Sequence, residues 1–175
     1  VYLTSRIEAS DVRLGFCCGK HPLDDYFARH ALSNDRAGIG RAYVLRRGAD
    51  DDPGLPPIIG FYTLSMALVG SAEIAGMLPG KLPRYPLPVA LLGRLAVDQR
   101  AQGRRVGEKL LMDALRRVVD VAEHIGCVGL IVDAKEEAAE SFYAKYDLAA
   151  VEQAAWPRRM FLAIATARQV FAPER

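Results

Sequence analysis

The sequence predicts an α/β fold, a mixed sheet whose faces are covered by helices. Two observations carry that prediction. Residues 89–164 read in the order strand, helix, strand, helix, strand, after earlier strands joined by short loops. Within that stretch the apolar strand Leu92-Gly93-Arg94-Leu95-Ala96-Val97-Asp98 leads through a basic, glycine-containing turn, Gln102-Gly103-Arg104-Arg105-Val106-Gly107, into a long amphipathic run. At 175 residues, 51% apolar and 25% charged, the chain fits one domain, residues 1–175, with a sizeable core.

The elements follow in order. Residues 1–8 read as a short first strand. Pro22 to Leu32 reads as a helix with Leu23, Tyr26, Phe27, His30 and Ala31 on one face. Ala42 to Arg46 is a strand, and the polar, Pro/Gly-rich Gly48 to Pro57 is the tip of a hairpin to the strand Ile58 to Met66. Ser71 to Met77 is a short helix, and the four prolines between Pro79 and Pro88 make a stiff loop. Val89 to Val97 is the central strand. Arg104 to Ile125 is the most strongly periodic helix, with Val106, Leu110, Leu111, Ala114, Leu115, Val118, Val119, Ala122 and Ile125 in register and Gly126 as its stop. Cys127 to Val132 is a buried strand. Glu136 to Lys145 is a short helix with acids in its first turn, where the dipole favours them, and Met160 to Ile164 is a last strand.

Composition narrows the chemistry. Cys17, Cys18 and Cys127 are odd in number and lack CxxC spacing, and His21, His30 and His124 are scattered. A disulfide framework and a metal site are therefore not expected, and a reducing cytoplasm fits. The apolar runs are far short of a membrane span, and no charged-apolar-small leader opens the sequence. The net charge of +2 hides an asymmetry: residues 81–117 carry nine Lys or Arg against Asp98, Glu108 and Asp113. Such a zone suits polyanionic ligands, meaning cofactor phosphates and nucleic acid, or it is a solvated helix face.

The strand–turn–helix order places backbone N–H groups at the positive end of a helix dipole, ready for a phosphate or pyrophosphate. Arg104, Arg105 or Lys109 adds charge there. Ser141-Phe142-Tyr143 follows on the next helix. Together the two segments point to an enzyme using a pyrophosphate-bearing cofactor and a phenol.

These residues resemble the GNAT superfamily of acetyl-CoA-dependent N-acetyltransferases, whose motif Gln/Arg-x-x-Gly-x-Gly/Ala opens the central helix. Gln102, Arg105 and Gly107 occupy its three defined positions, with Arg105 in place of the first glycine. The segments His21-Pro22-Leu23-Asp24-Asp25-Tyr26-Phe27, Gly60-Phe61-Tyr62-Thr63-Leu64-Ser65, Leu82-Pro83-Arg84-Tyr85-Pro86 and residues 92–98 resemble the GNAT toxins of bacterial toxin–antitoxin pairs, the TacT-like group, over roughly residues 15–150. The family's Phe-Tyr-x-x-x-Gly-Phe appears as Phe142-Tyr143-Ala144-Lys145-Tyr146-Asp147-Leu148, with Asp147 where glycine is expected and Leu148 as the apolar anchor.

The resemblance implies the GNAT fold, a mixed, mostly antiparallel twisted sheet flanked by helices. It implies acetyl transfer from acetyl-CoA, without a metal, to the α-amino group of aminoacyl-tRNA, which blocks translation. It also implies neutralisation by a ribbon-helix-helix (DUF1778-like) antitoxin, and a homodimer. Carried over by position, the cofactor contacts are Leu95, Ala96, Val97, Gln102, Gly103, Arg104, Arg105, Val106, Gly107, Glu108 and Phe142, and Tyr143 is the general acid. The strand residues Leu95 to Val97 pair with pantetheine amides or simply pack.

The acceptor amine can be reasoned about directly. The strand Val89 to Val97 carries no carboxylate. A lysine amine, with a pKa of about 10.4, needs an effective base, whereas an α-amine titrates near 8 and is partly neutral at pH 7. That favours an α-amine acceptor unless a water chain or a distant acid such as Glu73 or Asp133 serves. Phosphate contacts to tRNA are assigned to Arg36, Arg41, Lys81, Arg84 and Arg94. Arg94, inside an apolar strand, either reaches the acceptor end or pairs with a buried acid, and Asn34 beside Arg36 is a further candidate. Two other readings stay open: a housekeeping N-acetyltransferase of small amines or protein N-termini, and a degenerate domain that binds CoA without turnover.

Overall fold

The computed structural model describes residues 1–151 and 156–172. Its strands are β1 (Ser5–Arg6), β2 (Arg41–Arg46), β3 (Ile58–Val69), β4 (Leu87–Val97), β5 (Gly129–Ala134), β6 (Ala149–Ala150) and β7 (Arg158–Ala163). Its helices are α1 (His21–Arg29), α2 (Ala31–Arg36), α3 (Val106–Ala122), α4 (Glu137–Ala144) and α5 (Ile164–Val170), with short 3₁₀ turns at Asp11–Arg13 and Gln99–Ala101. The strands form one mixed sheet in the order β1-β2-β3-β4-β5-β7-β6. Pairing is antiparallel for β1–β2, β2–β3, β5–β7 and β6–β7, and parallel for β4–β5. The chain divides into two compact units, Val1–Ser65 with Gly93–Ala114, and Met66–Leu92 with Leu115–Arg175.

In the first unit the predicted hairpin is present. Arg41↔Leu64 to Leu45↔Gly60 are in register, the pairing shifts at a bulge to Arg46↔Ile58, and Arg47 N donates to the Pro57 carbonyl (2.9 Å) to close the tip. An aromatic cluster fills the space between strand and helix: Phe27 lies 4.8 Å from Phe61, and Phe16 lies 5.0 Å from Phe27. Ala31, Ala42, Val44, Ile58 and Ala96 complete this core. The expected helix over Pro22–Leu32 is two helices, because His30 leaves helical geometry at φ −120°, ψ −30°. The chain then re-enters a helix and ends at Gly38, where φ +74° allows Gly38 N and Ile39 N to satisfy the last carbonyls of Asp35 and Asn34.

The expected first strand over residues 1–8 is reduced to Ser5–Arg6. Its neighbours bond elsewhere: Leu3 N (2.6 Å), Thr4 Oγ1 (2.5 Å) and Tyr62 Oη (2.7 Å) all donate to the Asp113 carboxylate of α3. Two further buried acids bind this unit together. Asp35 accepts from Arg6 Nε (2.9 Å) and from Ala42 N (3.0 Å), and Asp11 accepts from Arg46 Nε (2.8 Å).

In the second unit β5 is central, with Ala90↔Leu130 to Leu92↔Val132 on one side and Gly129↔Ala163 to Ala134↔Arg158 on the other. Leu130, Ile131 and Val132 alternate between its two faces and are all buried, which is why they read as a continuous apolar run. Ser71–Met77 is a series of turns, not the expected helix: Gly70, Gly76 and Pro79 disfavour one, and the bonds are of the short type, Glu73 N to Gly70 O (3.0 Å) and Met77 N to Ile74 O (2.9 Å). The fully buried Ile74 holds this loop against Val69, Leu87 and Phe161. The last strand runs Arg158–Ala163, and Ile164, expected to end it, instead opens α5, its N–H bonded to the Val128 carbonyl (3.0 Å).

Asp113→Ala removes the acceptor of three donors at once. It should lower unfolding free energy by roughly 2–4 kcal/mol in urea titration with little change in slope.

Candidate functional site

The turn before α3 is built by one buried acid. β4 ends at Val97, and the fully buried Asp98 carboxylate accepts from Cys17 N (3.1 Å), Arg100 N (3.0 Å), Arg100 Nε (2.9 Å) and Arg100 Nη2 (3.0 Å). Burial alone raises this carboxyl's pKa, but the bonds from Arg100 and Cys17 outweigh it, and the net shift is below the usual carboxylate range. The Gln102 side-chain amide then donates to the Val97 and Cys18 carbonyls (3.0 Å each). Gln102, expected to touch the cofactor, therefore uses its side chain to brace the turn.

The next residues have left-handed backbone, Gly103 at φ +77° and Arg105 at φ +59°. A Cβ at Gly103 would meet open space, so glycine is favoured there by φ alone. Arg105 occupies the position where the motif has glycine and keeps the glycine-like conformation, at a cost of about 1–2 kcal/mol. These two residues explain why α3 starts at Val106 and not at the expected Arg104. The first N–H groups of a helix have no partner within it, so the head of this 17-residue helix is suited to an anion. Both turn arginines are ion-paired, Arg104 to Asp52 (3.2 Å) and Arg105 to Glu108 (2.7 Å). The expected contact residue Glu108 thus presents its carboxylate to Arg105.

Among the strand residues, Ala96 is buried in the aromatic core, so only its backbone is available to a ligand. Leu95 and Val97 are half-buried. The parallel register with β5 stops at Leu92, while β4 runs on to Val97, so the backbone of 93–97 has no such ladder to β5 among the described residues.

Tyr143 lies on α4 with 9% of its surface exposed, its ring edge-on to Phe142 at 5.1 Å. Burial pushes its phenol up to about 12. The helix end that carries it is closed by Asp147 in left-handed geometry (φ +67°), with Asp147 N bonded to Ala144 O (3.2 Å) and Leu148 N to Tyr143 O (3.3 Å). This is a Schellman closure with the buried Leu148 as its apolar anchor. The two departures from the motif glycines, Arg105 and Asp147, thus both retain the backbone that the glycines would supply.

The remaining expected groups fall into place separately. In the first unit the Arg94 guanidinium stacks over Tyr26, 3.5 Å from the ring centroid, where a buried acid had been the alternative. The Tyr26 hydroxyl accepts from Asn34 Nδ2 (3.4 Å), Arg41 donates to the Asp35 carbonyl (2.5 Å), and Arg36 is exposed at the end of α2. In the second unit Lys81 and Arg84 are exposed in the proline-rich loop. Of the two acids considered as bases, Asp133 pairs with Arg159 (2.9 Å), and Glu73 accepts from Gly70 N (2.7 Å). Among the described residues no group of three or more His, Cys, Asp or Glu is placed to hold a metal, and no helix is long and apolar enough to cross a membrane. Sequence reasoning missed the roles of Asp98, Arg100 and the Cys17–Cys18 backbone. An Asp closing an apolar strand, two residues before an arginine, was the available signal.

Residues 50–147 match the acetyltransferase (GNAT) family model. A tRNA-acetylating toxin of Mycobacterium tuberculosis is 37% identical over 142 residues, 81% of each chain. A crystal structure of a tyrosine-to-phenylalanine mutant of KacT is 28% identical, with a TM-score of 0.82 over 96% of this chain and 98% of that one. A structure of an AtaT mutant toxin bound to the C-terminus of the antitoxin AtaR and acetyl-CoA is 25% identical, with a TM-score of 0.73 over 89% and 88%.

Arg105→Gly should relieve the left-handed strain and hold or raise the melting temperature, whereas the β-branched Arg105→Val should lower it, as read by calorimetry. Tyr143→Phe should keep the fold while reducing kcat by about 10²–10⁴-fold. With its pKa at about 12 the phenol stays protonated through neutral pH, so ionisation of Tyr143 produces no alkaline fall in kcat below about pH 11.

Proposed function

The chain belongs to the acetyltransferase (GNAT) family, and on that premise we propose that it is a toxin that acetylates the α-amino group of aminoacyl-tRNA and is neutralised by a cognate antitoxin. The observation that carries this reading is the turn before α3. Gly103 and Arg105 hold glycine-type backbone at the motif, ahead of a 17-residue helix, in a chain 37% identical to a tRNA-acetylating toxin.

Acetyl-CoA, when bound, supplies an activated acetyl group on sulfur. The N–H groups at the head of α3 hold its phosphates, with charge from Arg104 and Arg105. The backbone of Leu95, Ala96 and Val97 offers strand-type bonds to its amides, and Val106, Gly107, Glu108 and Phe142 complete the donor contacts. Gln102 and Gly103 serve through their backbone, since the Gln102 side chain is engaged with Val97 and Cys18.

As the acceptor nitrogen bonds to the acetyl carbon, the carbon–sulfur bond breaks, Tyr143 Oη–H gives its proton to the departing sulfur, and the proton shed by the acylated nitrogen passes to solvent, from which the Tyr143 phenolate is reprotonated. Burial pushes the phenol up to about 12, so it carries its proton at neutral pH, as an unburied phenol also does. The acceptor must arrive largely neutral, because Asp133 is held by Arg159 and Glu73 by its own turn. An α-amine meets that requirement at neutral pH better than a lysine side chain.

Arg36, Arg41, Lys81, Arg84 and Arg94 supply phosphate contacts to tRNA, a salt-sensitive and sequence-independent form of binding. The partner is a ribbon-helix-helix antitoxin, and the toxin works as a homodimer in the cytoplasm, where charged tRNA is found. The AtaT mutant toxin bound to antitoxin and acetyl-CoA supports the pairing of toxin, donor and inhibitor.

Purified protein incubated with acetyl-CoA and a set of charged tRNAs should yield N-acetylated aminoacyl esters, identified by mass spectrometry after nuclease digestion. Cell-free translation should stop in parallel and resume on adding the antitoxin. Full CoA binding with transfer confined to free amines or peptide N-termini would overturn the tRNA assignment in favour of a housekeeping enzyme.

A further inference from the structure

We propose that Asp52, at the tip of the β2–β3 hairpin, is a built-in competitor for the donor's phosphates: its carboxylate holds Arg104 until a phosphate displaces it, and so sets how tightly the turn takes its ligand. The inference rests on the preceding reading only in assuming that the turn binds CoA.

Three carboxylates, Asp50, Asp51 and Asp52, stand in a row on the hairpin tip. A cluster of like charge is an unfavourable neighbour for a phosphate site, so its arrangement needs a reason. The three acids are used differently. Asp51 Oδ2 accepts from Gly48 N (2.6 Å) within its own loop. Asp52 Oδ1 accepts from Gly54 N (2.9 Å), which aims the other oxygen, Oδ2, at Arg104 Nη1 (3.2 Å). Arg47 stiffens the same loop by donating to the Pro53 (3.0 Å) and Leu55 (2.7 Å) carbonyls. The carboxylate is thus presented by a braced loop.

Arg104 stands between the two left-handed residues Gly103 and Arg105, and its side chain is 52% exposed, as is that of Asp52. An ion pair at this exposure is weak and readily exchanged. A phosphate offers more charge than a carboxylate and equally good bidentate geometry for a guanidinium, so it wins Arg104 when it also bonds the N–H groups of α3. A single stray phosphate, without those extra bonds, gains less over the resident carboxylate. Asp52 therefore raises the threshold for anions in general and leaves the multidentate donor favoured. The bonds from Gly54 and Arg104 hold the Asp52 carboxyl below the usual range, so it is anionic at neutral pH.

Calorimetric titration of CoA at low ionic strength tests this on the whole chain. Asp52→Asn should tighten CoA about 2–5-fold, with the gain shrinking at high salt. Asp50→Asn removes the same unit charge from the same tip and should change affinity by less than half as much. In an Arg104→Ala background, which itself binds CoA more weakly, the Asp52→Asn gain should vanish. Amide exchange over residues 48–55 should rise in wild type when CoA binds, because the tip loses its anchor. Titration of 3′-dephospho-CoA identifies the group displacing Asp52: a retained gain assigns the diphosphate and a lost gain the 3′-phosphate, either supporting the competition. Equal affinities for wild type and Asp52→Asn, equal effects of the two Asp→Asn changes, or a gain that survives Arg104→Ala would each overturn it while leaving the acetyltransferase reading intact. Wild type that takes up no CoA would instead remove the reading on which it rests.

Discussion

A carboxylate with no exposed surface, Asp98, carries the geometry on which the turn before α3, the proposed donor site, depends. It ends β4, caps the 3₁₀ turn through Arg100 N, receives the Arg100 guanidinium, and pins the backbone at Cys17. An anion in such a place is tolerable only because all its bonds come from N–H donors and one donor group is cationic. The reward is directional. Where the strand stops and how the 3₁₀ turn after it is capped are both set from this one side chain, with Gln102 spanning the Val97 and Cys18 carbonyls as a second brace. Gly103 and Arg105 can then be held in left-handed backbone without glycine at both positions.

The same pairing recurs through the molecule. Asp35 is held by Arg6, Asp11 by Arg46 and Asp133 by Arg159, in each case a buried or half-buried acid with a more exposed arginine. Arginine suits this because its planar fork satisfies a carboxylate while its stem lies over apolar surface. The consequence for function is that formal charge overstates the cations open to ligands. Within the basic stretch 81–117, Arg100 belongs to Asp98, Arg104 to Asp52 and Arg105 to Glu108, while Arg94 lies on the ring of Tyr26. Binding a polyanion here means exchanging partners as well as filling an empty field.

Strain is placed beside chemistry in both units. Arg105 heads α3, the proposed phosphate site, and Asp147 closes the helix that carries Tyr143. Each takes a conformation that costs a non-glycine residue about 1–2 kcal/mol, and each is enforced by neighbours. At Asp147 the bonds returning to Ala144 and Tyr143 are part of the enforcement, so the backbone carbonyl of the proposed proton donor is tied down by the very turn that is strained. Burial of the phenol moves its pKa still further above the physiological range, to about 12.

The long helix, the hairpin and the central strand were legible in the sequence because each rests on local rules: 3.6-residue periodicity from Val106 to Val118, turn residues between Gly48 and Pro57, β-branched and apolar runs at 58–66 and 129–132. Tyr143 became a candidate chiefly through the family resemblance. The basic turn was legible as a motif. Three things were decided only in three dimensions. Residues 1–8 lost most of their strand because Leu3 and Thr4 found a carboxylate 109–110 positions away in Asp113. Arg94 met an aromatic ring instead of an acid, and the Gln102 side chain took the Val97 and Cys18 carbonyls as its acceptors. The physical reason is common to all three. Periodicity and turn chemistry report which way a side chain faces, but the partner of a polar group is chosen by whatever the fold brings within about 3 Å of it, and a buried donor or acceptor cannot go without one.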